Sequence, residues 1–398
     1  MNFLYILEEH ESGPSGVVNV VKNKISNWKK SDFIYLVLNK NHWAKKEFLK
    51  IKRKNLKIIV LDFNISHEIN FCIRAINKSF FINKFIRFLI LPLEFYLNLK
   101  VYLYFKKILK QYSIDIIFSH NGGWPGGILN RLILLSALYF KNIKKFLIIH
   151  NFPARENFFN FLFIKLNDFI INFIGTNIIT VSQSCKTSLR TQNKLNNIKV
   201  IYNGINKNEL KKKYKKKYKK KYTKKINVSY FGKIQKRKGI DLLIKASNEI
   251  EFKHLNINIY GDGDMTYKKY LKDLKKGNYK LNFYKTVPNI QKYMEETDIV
   301  VLPSIEFESF GMILIEAMRQ KKPVICSHHG GMKEIVKNNI NGLLFKNKDV
   351  EDLKRKLNLL IYSKLKRNIL GYRGYNIFLK KFENKVFLEK YKKICNGK

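Results

Sequence analysis

The sequence predicts an α/β protein built from two doubly wound, Rossmann-like domains. Its 398 residues are too many for one ordinary core and suit two domains of about 150–200 residues each. Short apolar runs, typical of buried parallel strands, alternate with helical segments along the whole chain. A lysine-rich stretch separates two such series of runs, which indicates where one domain ends and the next begins.

Seven apolar runs predict the strands of the first domain, residues 1–205. They lie near 2–7, 33–38, 56–61, 114–119, 145–150, 177–181 and 198–201. The first run is followed at once by Glu8 and Glu9 and has neither a basic leader nor a cleavage site. We therefore expect a first β-strand there and no signal peptide.

Residues 206–225 are expected to be a charged linker or surface insertion. Three KKKY repeats occupy 211–222, and 211–225 contains eleven lysines. Such a run repels itself and has almost nothing to bury.

Six further runs predict the sheet of the second domain, residues 226–370. They lie near 226–231, 255–260, 281–284, 298–302, 323–326 and 342–345.

Cysteine and hydropathy patterns exclude several classes of protein. The four cysteines are scattered without a C-x-x-C pair, so neither a zinc site nor a disulfide framework is indicated, and a reducing cytoplasm fits best.

The apolar region 80–105 is interrupted by Arg87, Pro92, Glu94 and Lys100, which argues against a transmembrane helix. An ordinary helix of the first domain and an interfacial helix lying on a membrane both remain open.

The formal net charge of +47 would attract any polyanion: nucleic acid, an anionic membrane surface or a nucleoside diphosphate. Abundant Lys, Asn and Ile also indicate a compositional bias, so part of the charge is expected to be plain solvated surface. No recognisable nucleic-acid-binding motif accompanies the charge, so we expect no specific nucleic-acid partner.

One stretch carries more chemistry than any other. Glu308 and Glu316 are separated by seven residues, and from Phe310 to Met318 only Gly311 and Glu316 interrupt the apolar residues. A carboxylate in such a helix needs a partner, either a basic side chain of the core or a ligand.

This stretch resembles the E-x7-E signature of glycosyltransferase family 4, and further segments resemble that family in its own order. They are Tyr202-Asn203-Gly204-Ile205, Phe231-Gly232-Lys233, Lys238-Gly239-Ile240-Asp241-Leu242-Leu243, Gly261-Asp262-Gly263, Pro303-Ser304, Glu316-Ala317-Met318, Gly330-Gly331 with Glu334, and Asn341-Gly342-Leu343. The resemblance implies the GT-B fold, with two domains facing across a cleft and a C-terminal helix, 371–398, packing back on the first domain. It also implies retaining transfer of a sugar from a nucleoside diphosphate to an acceptor hydroxyl.

The resemblance implies basic residues on the diphosphate at Lys233, where the family usually has arginine, and at Lys238. Arg237 is a possible substitute for either. Glu316 would accept hydrogen bonds from the ribose hydroxyls. Glu308 would lie beside the donor sugar, together with the backbone of Ser309, Phe310 and Gly311. The resemblance assigns a catalytic role to Glu308 and to His150 of the first domain.

The first domain offers weaker candidates. Gly16 closes a Gly13-Pro14-Ser15-Gly16 loop that would let backbone approach the donor, or would be a mere turn. His150 matches the family's active-site histidine and is followed by Arg155, an acceptor-side candidate. His120 ends a neighbouring strand run and is the rival; we favour His150.

No metal or other cofactor is expected. Asp262-Gly263-Asp264 spells D-x-D but falls in a turn after a strand, and the lysines would already neutralise the diphosphate.

The expected acceptor is a lipid-linked saccharide, lipopolysaccharide or capsule precursor, reached by a cytoplasmic protein on the inner membrane face. A GT-B nucleotide-sugar epimerase or hydrolase is the alternative, and a basic nucleic-acid-binding protein is less favoured.

Overall fold

The structure, a computed structural model, describes residues 1–8, 16–61, 89–154, 161–193, 195–207, 225–287 and 290–397. It divides into two compact units, Met1–Ile201 with Leu388–Lys398, and Tyr202–Phe387. The second unit thus keeps residues 371–387, which the sequence assigns to a segment packing on the first domain. The KKKY run lies outside the described residues.

The first unit contains a seven-stranded parallel sheet of order β3-β2-β1-β4-β5-β6-β7. Its strands are β1 (Asn2–Leu7), β2 (Phe33–Leu38), β3 (Leu56–Val60), β4 (Ile116–Asn121), β5 (Lys144–Ile149), β6 (Asn177–Thr180) and β7 (Ile198–Val200). Its helices are α1 (Gly16–Asn27), α2 (Lys45–Leu49), α3 (Leu91–Gln111), α4 (Ile128–Ser136), α5 (Phe161–Ile174) and α6 (Gln183–Asn193). The chain returns to this unit within a last helix, α14, whose bounds follow below.

The second unit contains a six-stranded parallel sheet of order β10-β9-β8-β11-β12-β13. Its strands are β8 (Ile226–Phe231), β9 (Leu255–Tyr260), β10 (Lys280–Tyr284), β11 (Ile299–Leu302), β12 (Val324–Ser327) and β13 (Leu343–Phe345). Its helices are α7 (Ile240–Asn248), α8 (Met265–Asp273), α9 (Ile290–Glu296), α10 (Met312–Arg319), α11 (Met332–Ile335), α12 (Val350–Ile361) and α13 (Lys364–Lys381); α14 (Asn384–Cys395) begins here and ends in the first unit.

All thirteen predicted strand runs become strands, which confirms the α/β prediction. Continuous apolar runs such as Ile299–Leu302 are buried along their whole length, as expected of parallel strands covered on both faces. Side-chain caps start several helices: Asp264 accepts a hydrogen bond from the Tyr267 N–H at 2.7 Å, and Asp349 accepts one from Asp352 at 2.9 Å.

Each sheet reverses its strand order once, between β1 and β4 in the first unit and between β8 and β11 in the second. In open parallel sheets, ligands bind beyond the carboxyl ends of the strands at such a switch point. The loops after β8 and β11 carry the predicted donor residues, and β4 ends near His120. The topology therefore places these candidates where ligand chemistry is expected.

Two helices of the first unit turn apolar side chains to solvent. Along α5, Leu162, Leu166, Phe169 and Phe173 are 78, 56, 67 and 74% exposed. Their spacing of three to four residues puts them on one face of the helix. On α3, the exposed large side chains are those of Leu91, Leu93, Phe95, Tyr96, Leu99 and Leu103. Both helices pack against α4, and none of the described helices is both long and apolar enough to span a bilayer.

Candidate active site

The second unit brings the loop after β8 against the loop after β11. Lys238 forms an ion pair with Glu308, and both side chains are largely shielded from solvent. Backbone bonds tie the same loops, because the N–H of Ile305 donates to the carbonyl of Arg237 at 3.0 Å. One predicted phosphate ligand and one predicted sugar-side carboxylate are thus held together.

Two glycines make this close approach possible. Gly239 has a φ of +64°, and a Cβ there would lie 2.1 Å from the carbonyl oxygen of Pro303. A Cβ on Gly331 would lie 2.1 Å from the carbonyl oxygen of Ser309. The Gly331 N–H also donates to the carbonyl of Glu308 at 2.8 Å. Larger residues at these positions would force the loops apart.

Glu316 lies in the first turns of α10 and is only partly buried. No described residue forms a hydrogen bond or ion pair of 4 Å or less with its carboxyl group. The first of the two partners that the sequence left open, a basic side chain of the core, is therefore not found among the described residues. Burial raises the pKa of Glu316 to about 7, although the nearby Arg319 guanidinium opposes the rise. A carboxyl group in this state is free to accept hydrogen bonds from a ligand.

Lys233 follows β8 in an exposed loop. The hydroxyl of Tyr230 donates to the Lys233 carbonyl at 2.9 Å and so anchors the loop from beneath. Arg237 is exposed and donates to the side chain of Gln235 at 3.0 Å. Lys233 and Lys238 therefore flank the short loop that Arg237 also occupies.

Ser309 and Gly311 complete the loop ahead of α10. Phe310 itself is 2% exposed, with its ring 6.1 Å from Tyr202 and 5.9 Å from Phe382. Its side chain is therefore a packing anchor, and only its backbone is available to a ligand. The Tyr202 hydroxyl donates to Glu334 at 3.1 Å, which links two of the motif segments that the sequence places far apart.

The first unit brings the two rival histidines into contact. Nδ1 of His120 lies 2.8 Å from Nε2 of His150, and their rings are nearly parallel. Both are buried. Burial, the Lys24 ammonium and His150 hold the pKa of His120 well below its usual range, and burial with Lys24 lowers the pKa of His150 to about 3. The pair is therefore neutral at physiological pH, so one ring donates and the other accepts.

Lys24 was missed by the sequence reasoning. It is fully buried, with Nζ 3.7 Å from the ring centroid of Tyr391 and 4.0 Å from that of Phe118. Burial holds its pKa well below the usual range. The available signal was a lysine placed one turn after Val20 and Val21, on the face of α1 that packs inward.

Two other first-unit candidates are placed only in part. Gly16 is the first residue of α1, whereas residues 9–15 lie outside the described part of the chain. Arg155 also lies outside the described residues, so its acceptor-side role stays a prediction.

Comparisons with known proteins agree with this arrangement. Residues 210–377 match the model of glycosyl transferases group 1, and residues 67–209 match that of glycosyltransferase family 4. An uncharacterized glycosyltransferase of Methanocaldococcus jannaschii is 31% identical over 70% of this chain and 74% of its own. This chain is a family 4, group 1 glycosyltransferase.

Two further proteins resemble this glycosyltransferase. The poly(ribitol-phosphate) alpha-N-acetylglucosaminyltransferase of Staphylococcus aureus is 27% identical over 84% of this chain and 64% of its own length. The structure of Anabaena HepE in complex with UDP superimposes with a TM-score of 0.73 at 18% identity and covers both chains completely. The latter likeness shows the fold, and the GT-B prediction is confirmed.

Proposed function

We propose that this glycosyltransferase is a retaining, metal-independent enzyme that transfers a hexosyl group from a nucleoside-diphosphate sugar to an acceptor hydroxyl. The observation that carries the proposal is the second unit's pairing of Lys238 with Glu308 at a switch point, with Glu316 unpaired nearby. Cations beside a leaving diphosphate stabilise the charge that grows on it in the transition state. An unpaired carboxyl group can accept hydrogen bonds from the hydroxyl groups of the donor's ribose.

The residues take distinct roles in this proposal. Lys233 and Lys238 hold the diphosphate, and Glu316 holds the ribose. The Glu308 carboxylate, with the Ser309–Gly311 backbone, lies beside the sugar. No described carboxylate stands out as an attacking nucleophile, so the acceptor would attack the face that the diphosphate leaves. The neutral His150, oriented by His120, would contribute a hydrogen bond to the donor sugar.

Metal independence is supported by what the D-x-D aspartates do. Asp262 accepts a hydrogen bond from the N–H of Thr286 at 3.1 Å, and Asp264 caps α8. Both carboxylates therefore already serve the backbone. Activity is expected to survive EDTA. Loss of activity in EDTA that manganese restores would show instead that a metal is required.

The acceptor we propose is a lipid-linked saccharide or surface-polysaccharide precursor at the cytoplasmic face of a membrane. The Staphylococcus aureus relative named above acts on a poly(ribitol-phosphate). The exposed apolar faces of α3 and α5 give the protein a surface that water solvates poorly and a bilayer interface would accept. The large positive charge favours anionic lipid.

The direct test is transfer of label from a panel of nucleotide sugars, beginning with UDP-sugars because HepE holds UDP. The anomeric configuration of the product, read by NMR, tests retention. Free sugar or an epimer formed without any acceptor would instead identify a hydrolase or epimerase. Tight, salt-sensitive nucleic-acid binding that no nucleotide sugar displaces would contradict the proposal altogether.

A further inference from the structure

One face of the second unit's sheet is polar where a doubly wound sheet is normally apolar. The parallel register sets Asn227 beside Asn256, and Ser229 beside Asn258. The next strand sets Asn282 beside Asn258. Parallel sheets covered on both faces are rich in Val, Ile and Leu, because helices pack on them. This part of the sheet is therefore not built to receive an apolar helix face.

The polar face forms the floor of a cavity of about 190 Å³. Its lining includes Asn227, Asn256, Asn258, Asn282, Tyr260 and Tyr284. Lys238, Glu308 and Glu316 are not part of this lining, so the cavity is separate from the candidate donor residues.

Two amides in this cavity are almost fully buried yet only half used. Asn256 and Asn258 are 5 and 7% exposed. Asn256 donates to the Asn227 side chain at 2.7 Å, and Asn258 accepts from the Asn282 side chain at 2.9 Å. Within the described part of the chain, Oδ1 of Asn256 and Nδ2 of Asn258 have no hydrogen-bond partner. Neither atom is shut off from solvent, so both are available to a ligand. The cavity therefore offers one acceptor and one donor to a ligand.

Tyr260 and Tyr284 adjoin the amides and line the same cavity. The rings of Phe231, Tyr260 and Tyr284 form a continuous stack, with centroids 4.7 and 4.6 Å apart and interplanar angles of 8 and 12°. Tyr284 belongs to the edge strand β10 and is 41% exposed. The accessible lining of the cavity is almost wholly polar, and one face of the Tyr284 ring is covered by Tyr260, so these tyrosines meet a ligand through their hydroxyl groups.

The charge of the lining and the volume of the cavity further restrict which ligands it can bind. The two charged residues of the lining, Lys225 and Glu296, have opposite signs, which favours a neutral ligand. The volume corresponds to roughly six water molecules at about 30 Å³ each. It lies below the roughly 300 Å³ at which drug-sized pockets begin. A single ring bearing hydroxyl groups matches this size, and each hydroxyl can both donate and accept.

We propose that this cavity binds one neutral sugar unit of a saccharide. Its hydroxyl groups would bond the free amide atoms of Asn256 and Asn258 and the hydroxyl groups of Tyr260 and Tyr284. That this saccharide is the enzyme's own acceptor polymer rests on the proposed function. The binding site itself does not, because it requires no transfer reaction.

The test titrates the full-length protein with free glucose, galactose, N-acetylglucosamine and their disaccharides, with binding followed by NMR of the asparagine side-chain amides. We expect at least one of these sugars to bind with millimolar affinity and to shift those amide signals. Tyr284→Ala and Asn282→Ala should each weaken binding at least tenfold. The second variant guards against a folding defect in the first.

Two variants serve as controls. Tyr372→Ala removes a tyrosine that is 57% exposed on α13 of the same unit, away from the cavity. Glu316→Ala removes a donor-site group. Both should bind the sugar as the wild type does. The inference is overturned if no sugar shifts the amides, or if folded Tyr284→Ala and Asn282→Ala proteins bind normally. Sugar binding that depends on Tyr284 in a protein without transfer activity would uphold the site and refute the proposed function.

Discussion

At the scale of single residues, the protein keeps several ionisable groups in states that water would not favour. Glu316 is held towards its neutral form and Lys24 is buried against aromatic rings. The two contacting histidines have lowered pKa values. Perturbed groups of this kind concentrate at functional sites, although structural networks also produce them. Their chemistry can be tested one side chain at a time.

Glu316 should make stability depend on pH. Its carboxyl pKa rises from 4.5 in the unfolded chain to about 7 in the folded protein. Between these values the folded state holds a proton that the unfolded state has lost, so the free energy of unfolding falls as pH rises from about 4.5 to about 7. Urea unfolding across this range should show the fall in wild type and a smaller one in Glu316→Gln. The exposed Glu306→Gln should behave as wild type, and equal slopes in all three would contradict the assignment.

Glu316 should also matter to the donor. At about pH 8, where a carboxyl group of pKa about 7 is mostly ionised, Glu316→Ala is expected to weaken donor binding roughly ten- to a hundredfold, since hydrogen bonds to a charged group contribute about 1.5–3 kcal/mol. Calorimetric titration with the preferred nucleotide sugar measures this. Glu306→Ala is the matched control and should change little. Similar losses in both variants would mean that the motif register is wrong.

Lys238 should act on turnover more than on binding. Lys238→Ala removes the cation paired with Glu308, and the diphosphate charge it would stabilise grows towards the transition state. Steady-state kinetics should show a larger fall in kcat than rise in the KM for donor. Lys236 is exposed two residues away, and Lys236→Ala should change kcat and KM little. A KM effect alone would assign Lys238 to ground-state binding.

At the scale of elements, α5 presents its apolar stripe to solvent and its polar residues to the protein. Asp168 is buried and accepts a hydrogen bond from Nε1 of Trp124 at 2.7 Å. Asn167 is buried beside it. The outward stripe of Leu162, Leu166, Phe169 and Phe173 is what an interfacial helix requires.

This stripe should contribute to membrane binding. Leu162→Gln and Phe173→Gln should each reduce co-sedimentation with anionic vesicles by about tenfold, as burying one such side chain stabilises the bound state by about 1.5 kcal/mol or more. Leu365→Gln is a matched control, because Leu365 is 71% exposed on α13 of the other unit. Wild-type binding by both α5 variants would remove this helix from the proposed membrane contact.

The sequence predicted the strands but gave no prediction of which face of α5 is buried, and the difference has a physical reason. A buried parallel strand must be apolar throughout, so runs such as Ile299–Leu302 are recognisable alone. In α5, apolar residues lie on both faces, and Asp168 is held inward by residues distant in sequence, Trp124 and Asn193. The His120–His150 contact was equally hidden, because it depends on the pairing of β4 with β5.

At the scale of the whole molecule, the formal charge of +47 dominates long-range behaviour. Such a field speeds encounters with anions, and at 0.1 M salt the attraction is screened over about 10 Å. Local chemistry at the candidate sites then decides which anions are retained.

Replacing the KKKY run tests whether its positive charge has a function in membrane binding. Replacing the lysines of 211–222 by a Gly/Ser linker of equal length removes nine positive charges and none of the proposed donor residues. We expect weaker, less salt-sensitive binding to anionic vesicles and near-normal transfer to a soluble acceptor analogue. Neutral vesicles are the control, since they should bind both proteins weakly. Unchanged binding to anionic vesicles would mark the run as a compositional feature.

The return of the chain to the first unit affects the order in which the protein is completed during synthesis. Residues 388–398 belong to the unit that begins at Met1. Tyr391 and Cys395 are buried in it, and Lys144 donates to the Cys395 carbonyl at 2.6 Å. Residues 1–201 are synthesised first, but their fold lacks these contacts until residues 388–398 have also been synthesised. The second unit is one uninterrupted stretch, so it can fold before the first unit is finished.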